Sequence, residues 1–480
     1  MTEAWVEELK NIVGSAFVLT DFMDLLPYSC DAYTLVQQTP RAVVLPGKSS
    51  EVQEVVRILR RHHVPFLARG AGTSLSGGAT ALEGTVIIHL SRMNRILDID
   101  PENRVVVVEP GVVNADITRA AGPFGFFYAP DPSSQQTCTI GGNFAENSGG
   151  PHCLKYGVTV NHIVMAEVIT GEGETIVLGN LAGEPEGIDW LGLVMGSEGT
   201  LAIATRLWLR LTPKPSASQT VLALFDDVTE ASQAVSAIVA AGIIPAALEM
   251  MDRLAIYAVE RGPYRVGYPE DLAAVLLLEV DGESREVHAM ATRVQEVLQQ
   301  YRVREVRLAS TTEEKNRWWA NRKTAFGAMG LISPQYYVQD GVIPRSRLPE
   351  ALGRIGEISR RYNVRIANVF HAGDGNLHPL LLYDERDKEV VRRVIDAGRE
   401  ILAVCVDLGG SITGEHGVGI EKLEDMRRQF TETELAAQRA VKEAFDPMGI
   451  LNPGKLLPTR TACHETAMLG SDTDWEARRK

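Results

Sequence analysis

Three stretches of small residues in the N-terminal half constrain this chain more strongly than any other feature of its sequence. RGAGTSLSGGA occupies residues 69–79 and directly follows VPFLA, an apolar pattern typical of a buried strand. PDPSSQQTCTIGGNFAENSGGPHCLKYG occupies 130–157, and GSEGTLAI occupies 196–203. Backbone N–H groups can converge on an anion where side chains are small or absent. Three such loops in one domain therefore predict a site for an extended dinucleotide.

The spacing within the first loop excludes two common phosphate-binding motifs. A Walker loop requires Gly-Lys-Ser/Thr, whereas Gly77 is followed by Gly78 and Ala79. A GxGxxG fingerprint requires glycine at position 75, which is Leu75. A single glycine-rich turn can equally be ordinary turn chemistry, so it is the presence of the second and third clusters that favours a ligand site.

Composition excludes several classes of protein. The chain has 62 acidic and 48 Lys and Arg residues, a formal charge of -14, and no basic run, so we expect no nucleic-acid partner. The cysteines form no CxxC pair, which favours a reducing compartment and excludes an iron–sulfur cluster ligated by such a motif; they are Cys30, Cys138, Cys153, Cys405 and Cys463. The acidic, amphipathic start MTEAWVEELK and the lack of an apolar run of ~20 residues predict a cytoplasmic protein, attached to an inner membrane only through a partner complex.

The hydrophobic pattern predicts two domains of different architecture. Residues 42–69 read as strand, helix and strand, with Ser50 and Gln53 spaced as a capping box. The proline-rich stretch TPKPSAS marks a boundary, giving domains at 1–212 and 213–420. The second domain alternates helices and strands and predicts an open sheet with helices on one face. We expect 421–458 to be helical and then too polar and turn-rich for the core, and 459–480 to be a polar tail.

The stretch HAGDGNLHP places two histidines around a short turn. If Gly373–Asn376 is the turn of a hairpin, His371 pairs directly with His378, with Cβ atoms roughly 4.5–5.5 Å apart. That spacing suits two imidazoles sharing a divalent ion, and GSITGEHGVG offers Glu415 as a carboxylate ligand. The alternative is one core and one surface histidine, which the presence of only 10 histidines in the chain disfavours. Zinc and manganese are preferred, and iron stays open.

These motifs together resemble a known flavoprotein family. RGAGTSLSGGA, PDPSS, CTIGGNFAENSGGPHCLKYG and GSEGTLAI resemble the FAD-binding domain of the vanillyl-alcohol oxidase, or para-cresol methylhydroxylase, type. HAGDGNLHP, GEHGVG and DPMGILNPGK resemble its 2-hydroxy acid branch, and the likeness extends from about residue 40 to 458. The resemblance implies an α+β fold, with an N-terminal FAD-binding domain of this type and a C-terminal α/β cap domain that has an antiparallel sheet. The LNPGK segment would return to the flavin.

The resemblance also implies roles for individual residues. His371, His378 and Glu415 match metal ligands, His416 the catalytic base, and Arg322 a bidentate clamp for the substrate carboxylate. Thr73 occupies the place where some relatives carry a histidine bonded to the flavin, so the FAD is expected to be non-covalent. The matched FAD-binding positions are Gly70, Ala71, Gly72, Thr73, Ser74, Gly77, Pro130, Asp131, Ser134, Gly141, Gly142, Asn147, Ser148, Gly149, Tyr156, Gly157, Glu198, Gly199, Ile203 and Asn452.

The implied activity is oxidation of a small 2-hydroxy acid, glycolate or D-lactate, to the 2-oxo acid. Hydride would pass to flavin N5 and electrons to an acceptor other than NAD, with iron–sulfur and second flavin subunits as candidate acceptors and a homodimer left open. Some relatives that use hydroxy diacids carry a lysine at the place of Val338, so a monoacid is preferred over 2-hydroxyglutarate. The alternatives are a 2-hydroxyglutarate dehydrogenase, an ether-lipid-synthase-like transferase, a non-catalytic FAD-binding subunit and a metallohydrolase.

Overall fold

The first part of the chain carries two larger sheets and one sheet of only two strands. The computed structural model of the protein describes residues 3–183 and 187–458. The helices of this part are α1 (Ala4–Val13), α2 (Phe22–Leu25), α3 (Ser49–Arg61), α4 (Asn114–Ala121), α5 (Ile140–Glu146), α6 (Cys153–Tyr156) and α7 (Trp190–Val194). The strands are β1 (Val18–Leu19), β2 (Ala42–Val44), β3 (Phe66–Arg69), β4 (Val86–His89), β5 (Ile96–Asp100), β6 (Val105–Val108), β7 (Phe126–Phe127), β8 (Ile163–Thr170), β9 (Thr175–Gly179), β10 (Ala202–Arg210) and β11 (Thr212–Pro213).

The order of these strands brings the glycine loops together. One sheet has the order β1-β2-β4-β3, with β2, β4 and β3 parallel, and the other has the antiparallel order β5-β6-β10-β8-β9. The first glycine loop leaves the end of β3, and the third leads into β10. The predicted strands of this part are therefore confirmed as strands, and their order places both loops at one cleft.

Helix α3 confirms one prediction and corrects another. Its apolar stripe of Val52, Val55, Val56 and Leu59 is fully buried. The capping box is wrong, because the helix already begins at Ser49 and its N-cap makes no side-chain hydrogen bond. The amide of Gln53 instead donates to the carbonyl of Gly173, 3.0 Å away, which ties the helix to the second sheet.

The second part is built on one large antiparallel sheet of the order β15-β12-β14-β13-β18-β19-β16, with β17 also paired to β19. Its strands are β12 (Ala217–Phe225), β13 (Ala247–Asp252), β14 (Ala274–Gly282), β15 (Val303–Leu308), β16 (Gln335–Val338), β17 (Gly341–Val342), β18 (Arg365–His371) and β19 (Asn376–Tyr383). Its helices are α8 (Val228–Ala240), α9 (Arg253–Val259), α10 (Ser284–Leu298), α11 (Thr312–Lys323), α12 (Ala325–Ala328), α13 (Leu348–Tyr362), α14 (Lys388–Asp407), α15 (Met426–Gln429) and α16 (Glu432–Phe445).

The helices cover both faces of this sheet, so the prediction of helices on one face is wrong. Alternate residues of β12 enter different apolar clusters: Ala223 packs with α8, α10, α13 and α14, whereas Leu224 packs with α9, α11 and α12. β14 is accordingly buried along almost its whole length. Continuous apolar runs such as AAVLLLEV are typical of strands with both faces covered. This pattern in the sequence is the better guide to where the helices lie.

The segment after α16 is buried, which corrects the expectation that it lies outside the core. Leu451 is fully buried and forms a parallel bridge with Phe66 of β3. The N–H of Phe66 donates to Ile450, and the N–H of Asn452 donates back to Phe66. Polar turn residues are tolerated here because the backbone extends the edge of the first sheet and so satisfies its own N–H and C=O groups.

The structure changes from one sheet to another close to the first predicted domain limit. β11 pairs with β7 of the first part, and β12 opens the large sheet at Ala217. The limits at 212–213 and 420–421 stay predictions, and the predicted polar tail at 459–480 lies outside the described residues. Within the described part of the chain, no helix is long and apolar enough to cross a bilayer.

Candidate active site

A cleft of about 430 Å³ lies between the glycine loops and the second part of the chain, within the size range of small-molecule sites. Its lining includes most of the predicted FAD-binding positions, namely Gly70, Ala71, Gly72, Thr73, Ser74, Ser134, Gly141, Gly142, Ser148, Glu198, Gly199 and Ile203. At one end the lining comes from the second part and consists of Arg322, Lys323, Phe326, His378, Glu415 and His416. The chain thus brings two distant sets of predicted site residues to one cavity.

The other predicted FAD-binding positions lie outside the cleft lining, and several of them tie loops together. The Tyr156 hydroxyl donates to Asp281, 2.6 Å away, and Asp131 pairs with His152 at 2.9 Å. The Nδ2 amide of Asn452 donates to the carbonyls of Gly78 and Glu198. The remaining positions of this group are Gly77, Pro130, Asn147, Gly149 and Gly157.

The wall of the cleft is shaped for a ligand that approaches the backbone. A Cβ atom on Gly70 would overlap the hydroxyl of Thr139, so only glycine fits there. Thr139 Oγ1 is itself buried and has no hydrogen-bond partner among the described residues. An unpartnered buried hydroxyl in a cleft of small residues fits a polar ligand such as a dinucleotide. Thr139 was not predicted as a site residue, although it directly precedes the IGG of the second loop.

The hairpin that carries the two histidines has a different register from the predicted one. His371 pairs with Asn376 and Val369 with His378, so the turn is formed by residues 372–375. His371 and His378 are therefore diagonal neighbours on one face of the sheet rather than directly opposed. Their rings still meet, with centroids 5.0 Å apart in an edge-to-face arrangement, because imidazoles are long enough to span the diagonal.

The predicted ligand set converges as expected. Glu415 Oε1 lies 3.3 Å from His371 Nε2 and 3.0 Å from His378 Nε2. The ligand atoms of all three residues lie within 4.8 Å of one another. Burial opposes the charged form of His371, but the carboxylates of Glu249 and Glu415 outweigh it and raise its pKa well above the usual value. Two imidazoles around a buried carboxylate are a donor set that fits a divalent cation.

A buried glutamate that the sequence argument missed orients this set. Glu249 on β13 is fully buried, and its oxygens lie 2.8 and 2.9 Å from His371 Nδ1. With Nδ1–H held by Glu249, Nε2 is the ring nitrogen on the side of Glu415 that could bind a cation after losing its proton. Glu249 also forms an ion pair with Arg322, so one carboxylate contacts both the candidate metal site and the candidate substrate clamp.

A second possible metal set shares His378 but fits less well. Asp340, His378 and His416 also place ligand atoms within 4.8 Å of one another. The Asp340 carboxylate, however, already accepts the N–H groups of Gly414 and His416 and lies 3.3 Å from the buried Lys422 ammonium. A neighbouring cation that neutralises the carboxylate disfavours a second positive ion, so His371, His378 and Glu415 are the better site.

His416 lies against this site and against the cleft. Its ring stacks on His378, with centroids 4.9 Å apart and planes 5° from parallel. Burial is the main reason that the pKa of His416 is lowered to about 4. The imidazole is therefore neutral near pH 7, which is the protonation state that a proton acceptor needs.

Arg322 lies at the cleft rather than on a solvated helix face. Its side chain is only 5% exposed, and it donates to the carbonyl of Phe370 as well as to Glu249. Its Nε has no hydrogen-bond partner in the described part of the chain. Lys323 beside it is more exposed but also lines the cleft. Val338 lies in an apolar cluster and not in the cleft lining, so the preference for a monoacid stays a prediction.

Glycine loops along the cleft, with a neutral imidazole and a buried guanidinium at one end, fit the class of flavin-dependent oxidoreductases. Residues 40–179 match the model of the FAD binding domain, and residues 214–456 match that of the C-terminal domain of FAD linked oxidases. The chain belongs to the FAD-linked oxidase family. It is therefore an FAD-dependent oxidoreductase, and the prediction of FAD as its cofactor is confirmed.

Relatives of known name cover nearly the whole chain. It is 47% identical to the glycolate oxidase subunit GlcD of Escherichia coli K12 over 95% of its own length and 91% of that protein's. It is 40% identical to the GlcD subunit of Bacillus subtilis, over 90% and 92% of the two lengths. It is 31% identical to a D-lactate dehydrogenase of Anaerostipes hadrus, over 95% and 98%.

Solved structures confirm the predicted two-domain α+β fold. A p-cresol methylhydroxylase with substrate bound has a TM-score of 0.79 at 18% identity, covering 96% of this chain and 97% of that one. A 4-ethylphenol oxidase from Gulosibacter chungangensis also has a TM-score of 0.79, at 19% identity, covering 95% and 97%. At these identities the likeness concerns the fold alone.

Proposed function

We propose that this protein oxidises a small 2-hydroxy acid, glycolate or D-lactate, to the 2-oxo acid. The observation that carries the proposal is the convergence of His371, His378, Glu415, His416 and Arg322 at one end of the FAD cleft. A 2-hydroxy acid needs a cation for its carboxylate and a base for its hydroxyl proton, and this end of the cleft offers both. The names of the GlcD subunits and of the D-lactate dehydrogenase point to the same substrate class.

Each residue has a distinct part in the proposed reaction. The Arg322 guanidinium binds the substrate carboxylate and fixes its orientation. The neutral imidazole of His416, whose Nε2 lies 4.0 Å from Glu415 Oε1, accepts the hydroxyl proton. Burial of Arg322 and His416 excludes water from these contacts and so strengthens them. Bound FAD supplies the acceptor for the C–H electron pair of the substrate.

A divalent ion completes this arrangement chemically. We propose that His371, His378 and Glu415 hold it, since their ligand atoms already face one point and Glu249 fixes the orientation of His371. Such an ion would supply Lewis acidity that lowers the pKa of a coordinated hydroxyl. This matters because a base with a pKa of about 4, such as His416, is a weak acceptor for an unactivated alcohol proton.

The wider setting of the enzyme follows from its relatives. The GlcD relatives are named as subunits, and we propose that this chain likewise passes electrons to partner subunits rather than to NAD. The partners would include iron–sulfur and second flavin chains, and self-association as a homodimer is part of the same proposal. We place the complex in the cytoplasm, at the inner membrane only through those partners.

The test is anaerobic reduction of the bound flavin. We expect glycolate or D-lactate to bleach the flavin absorbance, and D-2-hydroxyglutarate and L-lactate to do so more slowly. A dichlorophenol dye should then restore the absorbance, whereas NAD should not. A flavin that none of these acids reduces would refute the proposal. A product formed from an acyl-glycerone phosphate without net reduction would indicate the transferase instead.

A further inference from the structure

The loop that carries Glu415 and His416 is held between two buried carboxylates that come from different parts of the chain. On one side, Asp340 accepts the N–H groups of Gly414, Glu415 and His416, at 2.9 to 3.2 Å from Oδ2. On the other side lies Glu198, from the third glycine loop. The backbone of residues 414–419 is thus hydrogen-bonded to the second part of the chain through Asp340 and to the first part through Glu198.

Glu198 makes two short contacts with this loop. Its Oε1 accepts the N–H of Val418, and its Oε2 accepts the N–H of Gly419, both at 2.6 Å. Both oxygens are therefore engaged with backbone two and three residues beyond His416. The residue is 5% exposed, so water does not compete for these hydrogen bonds. Bonds from N–H groups to a carboxylate are stronger than those to a neutral acceptor.

The surroundings of Glu198 show that the loop and the FAD domain are fitted to each other. A Cβ atom on Gly417 would overlap Glu146, and one on Gly419 would overlap the carbonyl of Ser76. The Ser76 hydroxyl donates to the carbonyl of His416 at 3.0 Å. Glycine at these two positions is thus explained by close approach of the cofactor loops, as well as by the turn that lets Glu415 and His416 face one pocket.

We infer that Glu198 is a positioning residue, which fixes the backbone carrying Glu415 and His416 and so ties the cofactor loops to the reacting groups. This goes beyond its predicted role as a flavin contact, because both carboxylate oxygens are already occupied by the loop. The expected effect of Glu198 on the reaction rests on the proposed function. The expected effect of Glu198 on the loop rests on its hydrogen bonds alone.

The test compares Glu198→Gln with Glu109→Gln in the FAD-loaded protein. Glu109 is a matched control, since it is a buried carboxylate of the same domain that also accepts a backbone N–H, from Arg95, and it lies outside the cleft lining. The first readout is hydrogen exchange in the peptide that contains residues 414–419. Glutamine places an NH2 group, which is a donor, where one carboxylate oxygen accepts a backbone N–H, so one of the two hydrogen bonds is lost. We therefore expect hydrogen exchange in this peptide to be about tenfold faster in E198Q and unchanged in E109Q.

The second readout is the anaerobic rate of flavin reduction by glycolate at several concentrations. We expect the limiting rate to fall about 100-fold, because small misplacements of reacting groups have effects of this size. The apparent substrate affinity should change little, since Arg322 lies on a different element. Normal exchange in E198Q would overturn the inference, and so would faster exchange with an unchanged limiting rate.

Two further results keep the outcome decisive. If E198Q does not fold or retain flavin, Glu198→Asp keeps the charge but shortens the side chain, so it cannot reach both N–H groups and should produce smaller changes of the same kind. No change in either readout would overturn the inference. If the unaltered protein is not reduced by any 2-hydroxy acid, the proposed function fails, whereas the exchange comparison still decides whether Glu198 holds the loop.

Discussion

Replacing Glu249 by glutamine should weaken the proposed metal binding and lower stability, because this carboxylate contacts both a candidate metal ligand and the candidate substrate clamp. Glu249 is fully buried and lies between His371 Nδ1 and the guanidinium of Arg322, whose side chain is 5% exposed. Glutamine keeps the shape but removes the charge. It leaves Arg322 a buried cation without its counter-ion and no longer fixes the tautomer of His371.

The expected size of each effect follows from the geometry. Removing one partner of a buried ion pair typically destabilises by 3–5 kcal/mol, and the retained glutamine oxygen places the expected loss at about 3 kcal/mol. Loss of the carboxylate behind a metal-bound histidine typically lowers metal affinity about 10- to 100-fold. Urea unfolding measures the first quantity, and competition with a chromophoric chelator for zinc and for manganese measures the second.

Glu279→Gln is the matched control for this experiment. Glu279 lies on β14 of the same sheet and is also largely buried, but it pairs with Lys315, whose side chain is 29% exposed. Because the Lys315 ammonium is partly exposed and can be rehydrated, we expect E279Q to lose about 1 kcal/mol, less than E249Q. No predicted metal ligand is in contact with Glu279. The reasoning is refuted if E249Q binds metal as tightly as the unaltered protein, or if E249Q loses no more stability than E279Q.

Three other predictions concern the cofactor cleft and its surroundings. Acid precipitation should release all of the flavin into the supernatant, because Thr73 in the cleft offers no group for a covalent bond; flavin in the pellet would contradict this. Gly70→Ala should lower FAD affinity about tenfold, since the new methyl group overlaps Thr139 and overpacking costs about 1–3 kcal/mol. The control is Gly353→Ala in α13, where there is open space. It should leave FAD affinity unchanged and raise the free energy of unfolding by about 0.5–1 kcal/mol. Burial raises the pKa of Asp31 from 3.8 to about 6, so the folded state holds this proton more tightly than the unfolded state, and stability falls as pH rises from about 4 to about 6. Asp31→Asn should remove this fall, which is on the order of 2 kcal/mol and is measured by urea unfolding across that pH range. An identical pH dependence in both proteins would show that Asp31 does not titrate there.

Features that depend on local sterics could be predicted from the sequence. The glycine loops could be recognised because runs of glycine and other small residues are visible in the sequence whatever the tertiary fold. The convergence of His371, His378 and Glu415 was also predicted correctly, although the register behind it was wrong by two residues. The sequence cannot distinguish a turn at 373–376 from one at 372–375, since both contain Gly373 and Gly375, and the histidines share a face in either case.

The residues that the sequence argument missed act over long distances along the chain. Glu249 contacts His371 and Asp340 contacts His416, and neither was predicted. Glu198 was predicted as a flavin contact, but its hydrogen bond to Gly419 was not. An isolated acidic residue in a strand or loop does not reveal its partner when that partner is 76 or more positions away. Burial was the only available signal: an acidic residue inside an apolar strand such as AALEMM requires a partner.

The pairing of Leu451 with Phe66 has a consequence for how the enzyme is made. The edge of the first sheet, from which the leading glycine loop departs, receives its last backbone partner from nearly the final described residues of the chain. During synthesis, more than 380 intervening residues must leave the ribosome before that edge is closed. We therefore expect a prematurely terminated chain, even one that contains every glycine loop, to lack the backbone partner that completes the edge at Phe66.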